Sequence, residues 1–566
     1  MGFLIHVFAA FAAIAAAEEG YLGTRLFGDA ALPALFSQLV FLAAPFALAR
    51  LARREALRGR FPRAALLARL VQWSPIALYP FVLGALGWHA LATGVLGEGA
   101  LLSSWPGPEL LVVLAPWLAL EVASIDARAR MQARDPRTRI HLRVLQLRML
   151  AGALLPVVAY LIVSGSVGRI EPLRVRIEEI SLWSAGFSLV LLLMVALLLP
   201  TLLRVVWATR RFGEGEFVER LFQAVATRAR FRCRGLYLWD TGGTMANAAI
   251  VGFGPAHRLV LVSDALLARL EPGEVAAVFA HEIAHAKKHH VLVFGLWTLA
   301  WFLGLELLLS SAVPAAEDAS EAFGVVVETG GLFGGIALGA LLFGFVSRRI
   351  ELQADLYASK LLGTSAPMIG ALEKVGGIER TRGGFRHFST ARRVGFLELV
   401  RSRPELGRRL ERFLGAFAAL GVIAFVVVAG LRTQALTAEL PVERLRADLR
   451  LGRFERVIDE AAKLEDPGAA RLRDELVRWR DEGELTRAGE PEFLEARARE
   501  ALSQGEAERA LAILELGGLR GDEALGAAAQ ALGRAFEGDE DGVRAALEDG
   551  AATSWQAAIR AVLNAR

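Results

Sequence analysis

The chain contains a single cysteine, Cys233, in 566 residues. That scarcity excludes an intrachain disulfide and any cluster of thiolates around a metal, and leaves Cys233 a buried structural thiol. Histidine is also rare, with nine in the chain. No motif for nucleic acid is present, so the formal charge of +4 calls for another explanation. What abounds is apolar side chain. At 54% of all residues it exceeds what three or four soluble domains of this total length would carry.

The apolar residues gather into blocks that approach the ~20 residues needed to cross a bilayer. Nine such blocks stand at about 3–18, 32–49, 70–96, 108–124, 149–168, 181–207, 291–312, 327–346 and 412–431. A polytopic α-helical membrane protein is therefore expected. The first block is read as a span and not as a cleaved signal, because no Lys or Arg precedes it. The loops at 49–69 and 126–148 are dense in Arg, whereas 17–30, 97–105 and 312–323 are acidic or nearly uncharged. Positive loops stay in the cytoplasm, so 208–290 and 347–411 are expected inside and the tail from 432 outside. The tail carries 20 Lys plus Arg against 28 Asp plus Glu, and the remainder is correspondingly basic. Basic loops beside a bilayer account for that excess.

The chemistry lies between the sixth and ninth blocks. Residues 214–240 read as a helix and a β-rich run ending at Trp239. Strands near 247–252 and 258–263, a short helix, a Pro272-Gly273 turn and a long helix follow. The long helix carries "HEIAH", with His281, Glu282 and His285. Two histidines four residues apart are about 400° of helix apart, so both imidazoles lie on one face and can reach one Zn²⁺. Glu282, one residue further on, is placed to accept a proton from water. A third ligand has to come from another helix, and "SRRIELQAD" (347–355) offers Glu351, with Asp355 one turn later to support a ligand imidazole. The long helix is expected to run on into the seventh span. Lys287, Lys288, His289 and His290 then fall at the lipid headgroups, with the two histidines as interfacial anchors.

With "NAAIVG" (247–252), "VAAVFAHEIAH" (275–285), "SRRIELQAD" and "RHFSTARRVGFL" (386–397), the region 210–400 resembles the integral-membrane zinc metallopeptidases that include the CAAX prenyl proteases and the bacterial heat-shock protease HtpX. The resemblance implies a small α+β zincin-like catalytic domain, one Zn²⁺ on His281, His285 and Glu351, and Asp355 in support. It further implies that His387 and Arg393 stabilise the oxyanion, and that Asn247, Ala248, Ala249, Ile250, Val251 and Gly252 form a substrate-aligning edge strand. Two positions depart from the pattern. Phe388 stands where proline commonly follows the histidine, and Ala249 stands where an aromatic is usual, which implies an altered groove.

Four regions follow: an N-terminal transmembrane region of about six spans (1–207), a catalytic region with two further spans (208–411), a last span (412–431) and an α-helical tail (432–566). The tail is rich in Ala, Leu, Glu and Arg, with loop glycines at 452, 483, 505 and 538. It reads as a helical hairpin array of tetratricopeptide-like character for docking a protein partner, or equally as an ordinary helical bundle. The expected function is an endopeptidase acting on membrane or membrane-attached proteins in a bacterial inner membrane. Processing of lipid-modified C-termini, or a non-enzymatic scaffold, are the alternatives.

Overall fold

The structure is a computed structural model and describes residues 2–18, 31–96, 110–317, 319–376 and 387–537, with 543, 555, 557–559 and 562 beyond them. The expected outward loop at 97–105, most of that at 17–30, and Gly538 lie outside the described residues. The first half of the chain forms α1 (Gly2–Glu18), α2 (Ala31–Leu57), α3 (Phe61–Leu83), α4 (Trp88–Leu96), α5 (Leu110–Gln132), α6 (Pro136–Gly168), α7 (Glu171–Glu179) and α8 (Ser181–Val206). Then come β1 (Thr209–Arg211), α9 (Phe217–Arg228), β2 (Gly235–Trp239), β3 (Ala248–Val251), β4 (Leu259–Ser263), α10 (Asp264–Arg269) and α11 (Pro272–Lys287). The chain continues through α12 (His290–Glu317), α13 (Glu321–Leu362), α14 (Ala366–Gly376), α15 (Thr390–Ser402) and α16 (Pro404–Arg450). It ends in α17 (Phe454–Ala461), α18 (Pro467–Asp481), α19 (Pro491–Ser503), α20 (Ala507–Leu519) and α21 (Glu523–Glu537).

Helix dominates, as expected of a mainly α polytopic membrane protein. Among the described residues seven helices are long and apolar enough to cross a bilayer: α3, α5, α6, α8, α12, α13 and α16. That is two fewer than the nine apolar blocks. The first block becomes α1, whose 17 residues span about 26 Å, short of a ~30 Å hydrocarbon core. The second lies in α2, which turns arginine-rich from Arg50 onward. The block at 70–96 is not one helix. The chain leaves α3 at Gly84 and re-enters helix at Trp88, with Gly87 at φ 71° making the turn.

The chain divides into two compact units, Met1–Ser166 with Leu191–Gly430, and Val167–Val190 with Leu431–Arg566. In the first, α1, α3 and α5 bury Val7, Ile14, Tyr79, Leu83, Leu114 and Trp117 in a common core. His6 pairs with Glu121 inside it, both buried. Lone charges are costly in such surroundings and pair instead.

The same unit holds a four-stranded sheet of order β1-β2-β4-β3. Strand β4 (LVLVS) lies parallel to β2 and antiparallel to β3, and all five of its residues are buried. A run of β-branched and Leu side chains with no polar alternation is what a central strand covered on both faces requires. β3 pairs with β4 in the register Ile250↔Val260 and forms an edge of the sheet. Gly252 ends it at φ 104°, and a Cβ there would meet the His257 carbonyl oxygen at 2.5 Å. Beneath the sheet, α11 packs Phe279 edge-on against Phe222 of α9 and shares a core with Val260, Val262, Met368 and Leu372.

α12 and α13 form a hairpin. Gly331, Gly335 and Gly339 line one stripe of α13, and Cβ atoms there would come within 2.6–2.7 Å of Leu309, Leu305 and Trp301 on α12. Small residues four apart let two helices close on each other where lipid offers no hydrophobic drive. The Trp301 indole N–H donates to the Gly335 carbonyl at 3.1 Å across the contact. α13 is 42 residues long, about 63 Å, roughly twice the hydrocarbon thickness. Its C-terminal turns therefore extend beyond the bilayer.

In the second unit, α7 meets the C-terminal end of α16. Arg450 reaches Glu178 and Glu179, and Glu443 accepts from both the backbone N–H and the hydroxyl of Ser181. Helices α17–α21 bury Leu476, Trp479, Leu494, Ile513 and Leu532. Gly452 before α17, and Gly483 and Gly505 between the later helices, take φ 68°, 77° and 78°, where helices end in the left-handed region.

Candidate metal centre

The start of α11 is fixed by several devices at once. Pro272 occupies the first turn, and the Glu271 and Glu274 side chains cap the helix reciprocally. Lys374 of α14 donates to both carboxylates at 3.1 and 2.8 Å. From that anchored end the helix carries His281, Glu282 and His285 inward. Their ring nitrogens converge as the spacing requires, with His281 Nε2 and His285 Nε2 3.2 Å apart.

Glu351 comes from the extended C-terminal end of α13. Its Oε2 lies 3.7 Å from His281 Nε2 and its Oε1 3.8 Å from His285 Nε2. One atom from each of the three side chains lies within 4.8 Å of the others, a group that can hold a metal ion. Asp355, one turn further along α13 and completely buried, sits with Oδ1 2.9 Å from His281 Nδ1. Arg393 of α15 grips the same carboxylate with two donors, Nε to Oδ2 at 2.7 Å and Nη2 to Oδ1 at 2.6 Å. Its remaining nitrogen is 3.6 Å from Glu351. α15 is capped by Ser389, whose hydroxyl accepts from the Arg392 N–H, and this cap sets the approach of Arg393.

His387 stands just before that cap, exposed on its outer side, with Nδ1 3.1 Å from Glu351 Oε2. All of 281, 282, 285, 351, 355, 387 and 393 thus meet in one place. Residues 248–251 form the neighbouring edge strand, while Asn247 precedes it and is tied by its backbone to Ser263. The expectation of a strand at 247–252 is trimmed by one residue at each end.

Electrostatics differ among the three neighbours on α11. Burial pushes the Glu282 carboxyl up to about 7, against the charge of His281 and the backbone N–H of Ile250, which pull it down. For His281 burial disfavours the cation, but Asp355 beside its Nδ1 outweighs burial and the net direction is upward. His285 goes down to about 3, through burial first and the charge of His281 second. Its ring is neutral at physiological pH and keeps a lone pair.

Two expectations fail here. α11 does not run on into the seventh span: it stops at Lys287, His289 takes φ 53°, and α12 begins at His290. His290 is not an interfacial anchor either. It is 5% exposed, with Nδ1 3.0 Å from His285 Nδ1 and Nε2 2.9 Å from Gln353 Oε1. The adjacent His289 and Lys288 are exposed, whereas Lys287 donates to the Ala229 carbonyl at 2.7 Å. Gln353 sits inside "SRRIELQAD" but gives no sequence signal, because two residues of helix, about 200°, turn it away from the face shared by Glu351 and Asp355.

Residues 214–416 match the family described as Peptidase family M48. Over 175 residues the chain is 32% identical to the protease HtpX homolog of Janthinobacterium sp. (strain Marseille), covering 29% of this chain and 60% of that protein. Over 140 residues it is 35% identical to protease HtpX of Stutzerimonas stutzeri (strain A1501), covering 23% and 47% respectively. A crystal structure of S. mikatae Ste24p aligns with 70% of this chain and 96% of that one at 15% identity and a TM-score of 0.39. The resemblance to membrane metallopeptidases of the HtpX type is borne out for this region. The match spans about half the length of these curated relatives.

Proposed function

We propose that the chain is a membrane-embedded, zinc-dependent endopeptidase that hydrolyses peptide bonds of membrane or membrane-attached proteins. The observation that carries this is the convergence of His281, His285 and Glu351 on one point, with Glu282 beside it. Tetrahedral zinc with ligands at ~2.0–2.1 Å separates its donor atoms by about 3.3 Å. The observed 3.2 Å between the imidazole nitrogens, with 3.7 and 3.8 Å from them to the two oxygens of Glu351, suits a set of two imidazoles and one carboxylate. When bound, zinc polarises the scissile carbonyl and acidifies water, bringing its pKa toward ~7.

Glu282 takes a proton from the attacking water as its oxygen bonds to the carbonyl carbon. The same proton passes to the nitrogen as the C–N bond breaks. No acyl-enzyme is required. His387 stands at the mouth of the cluster, and Arg393 directs its third nitrogen toward Glu351. Either is placed to stabilise the oxyanion, a contribution of about 2.7–4 kcal/mol. An extended substrate segment adds to β3 along residues 247–252 through main-chain hydrogen bonds.

The arginine-dense loops support a cytoplasmic site in a bacterial inner membrane. The pairing of α7 with the end of α16 supports a common side for the loop near 170–180 and the tail, which alternation of the spans makes the outer side. The tail serves a protein partner. The deciding experiment is Glu282→Gln, purified in detergent and given an unfolded membrane protein. Zinc is expected to stay while cleavage disappears, and undiminished turnover would remove the proposed base. Cleavage of a farnesylated peptide alone would instead favour processing of lipid-modified C-termini. A parent protein without zinc would favour a scaffold.

A further inference from the structure

The two imidazoles of the cluster are supported unequally. His281 Nδ1 faces a carboxylate, Asp355. His285 Nδ1 faces another histidine, and that histidine is in turn bonded to a neutral amide. We propose that His290, held by Gln353, sets the tautomer and the orientation of His285 and thereby its affinity for the metal; this rests on the zinc reading above.

The direction of the chain of hydrogen bonds follows from the chemistry of a ligand imidazole. His285 can offer Nε2 to a metal only if its proton is on Nδ1. That proton needs an acceptor, and the atom opposite is His290 Nδ1 at 3.0 Å. His290 must then carry its own proton on Nε2, where Gln353 Oε1 accepts it at 2.9 Å. Reversing any one of these bonds reverses all of them and leaves His285 protonated on the nitrogen that faces Glu351. One buried amide oxygen therefore fixes the protonation of a ring on a different helix.

Backbone geometry shows how the contact arises. In an unbroken helix a residue five positions on is rotated about 140° from the first and displaced by ~7.5 Å along the axis. The ring of His290 would then point away from His285. The break at His289, held at φ 53° by a residue with a full side chain, lets α12 start in a new direction. It brings the two rings to 4.9 Å between centroids at 79°. Gln353, between Glu351 and Asp355 in sequence but on another side of α13, closes the arrangement. His290 thus joins the helix of the histidines to the helix of the carboxylates.

The full chain in detergent provides the test, with zinc affinity read by competition against a chelator and the visible spectrum of the Co²⁺ form as a second readout. His290→Leu removes the acceptor. Loss of such a partner weakens metal binding by ~10–100-fold, and the Co²⁺ bands should shift. His290→Asn places its side-chain oxygen where Nδ1 stood and is expected to bind zinc within a few-fold of the parent. His290→Gln places its oxygen where Nε2 stood and should resemble the Leu variant. The Asn and Gln comparison is decisive even if the Leu variant does not fold, because those two residues are equally polar. Equal zinc affinity for Asn and Gln, or an unchanged affinity and Co²⁺ spectrum in a folded His290→Leu, would overturn the proposal while the zinc reading stands. A parent protein that binds no zinc would instead overturn the reading beneath it.

Discussion

Two buried clusters of charge in this protein look alike in composition and differ in where their atoms point. In the tail, Arg509 meets Glu475 with Nε and Nη2, at 2.9–3.1 Å, and the carboxylate is nearly inaccessible. The third nitrogen of Arg509 donates to Glu506 at 2.9 Å, so every donor nitrogen is taken up by a carboxylate, as in a structural ion pair. At the end of α11 and α13, Asp355 and Arg393 form the same kind of pair. The atoms beside them are arranged otherwise: the Nε2 atoms of His281 and His285 and the two oxygens of Glu351 converge at 3.2–3.8 Å, with His387 and Arg393 against the same carboxylate. A closed pair fixes structure, whereas two imidazole nitrogens and a carboxylate converging on one point suit a cation. The pair in the metal centre is thus a brace behind a converging set of ligand atoms.

The sharpest way to break this comparison is Asp355→Ala. It leaves Arg393 buried without its partner, which costs about 3–5 kcal/mol in stability, and removes support from His281, which should weaken zinc binding by a further ~10–100-fold. Thermal unfolding and chelator competition on one preparation read the two effects separately. Glu475→Ala is the counterpart in the tail. It should cost less, because Arg509 is partly exposed and keeps Glu506, and is seen as early melting of the tail, with zinc content and cleavage rate unchanged. Replacing both members, Arg509→Met with Glu475→Leu, should recover most of that loss, since a closed ion pair is exchangeable for apolar packing. The smallest effect is expected for His289→Gly. A left-handed residue with a side chain is strained by about 1–2 kcal/mol, part of which glycine returns in its own chain entropy. A small rise in melting temperature with unchanged zinc affinity would show that the break matters for its shape and not for the His289 ring.

Much of the centre was legible in the sequence, for local reasons. A spacing of four on a helix places His281 above His285, and the same spacing places Glu351 above Asp355. That the two helices would meet was offered by the need for a third ligand and by the family pattern together, and the pairing of Arg393 with Asp355 came from neither. The spans were legible as apolar blocks, but block length overstated their number. The helix of the first block is too short and early arginines shorten the second, while Gly84 and Gly87 split a third without removing its span. His290 was not legible at all. Its role depends on a left-handed turn at His289, a residue type that gives no propensity signal for one. It also depends on Gln353, 63 residues away in sequence. Hydrophobic periodicity describes which face of a helix is buried, and carries no information about where a buried helix stops and restarts. The meeting of α7 with the end of α16 is another contact of this kind, since residues 262 or more positions apart share no local pattern.

The central claim is that His281, His285 and Glu351 together hold one zinc ion. Zinc content and the zinc-edge X-ray absorption spectrum of the purified protein test it most directly, measured beside Glu351→Ala. The account expects one equivalent of zinc in the parent, with imidazole scattering and nitrogen and oxygen neighbours at ~2.0–2.2 Å, and background zinc in the variant. A parent without zinc, or a Glu351→Ala protein that keeps a full equivalent with an unchanged spectrum, would contradict it.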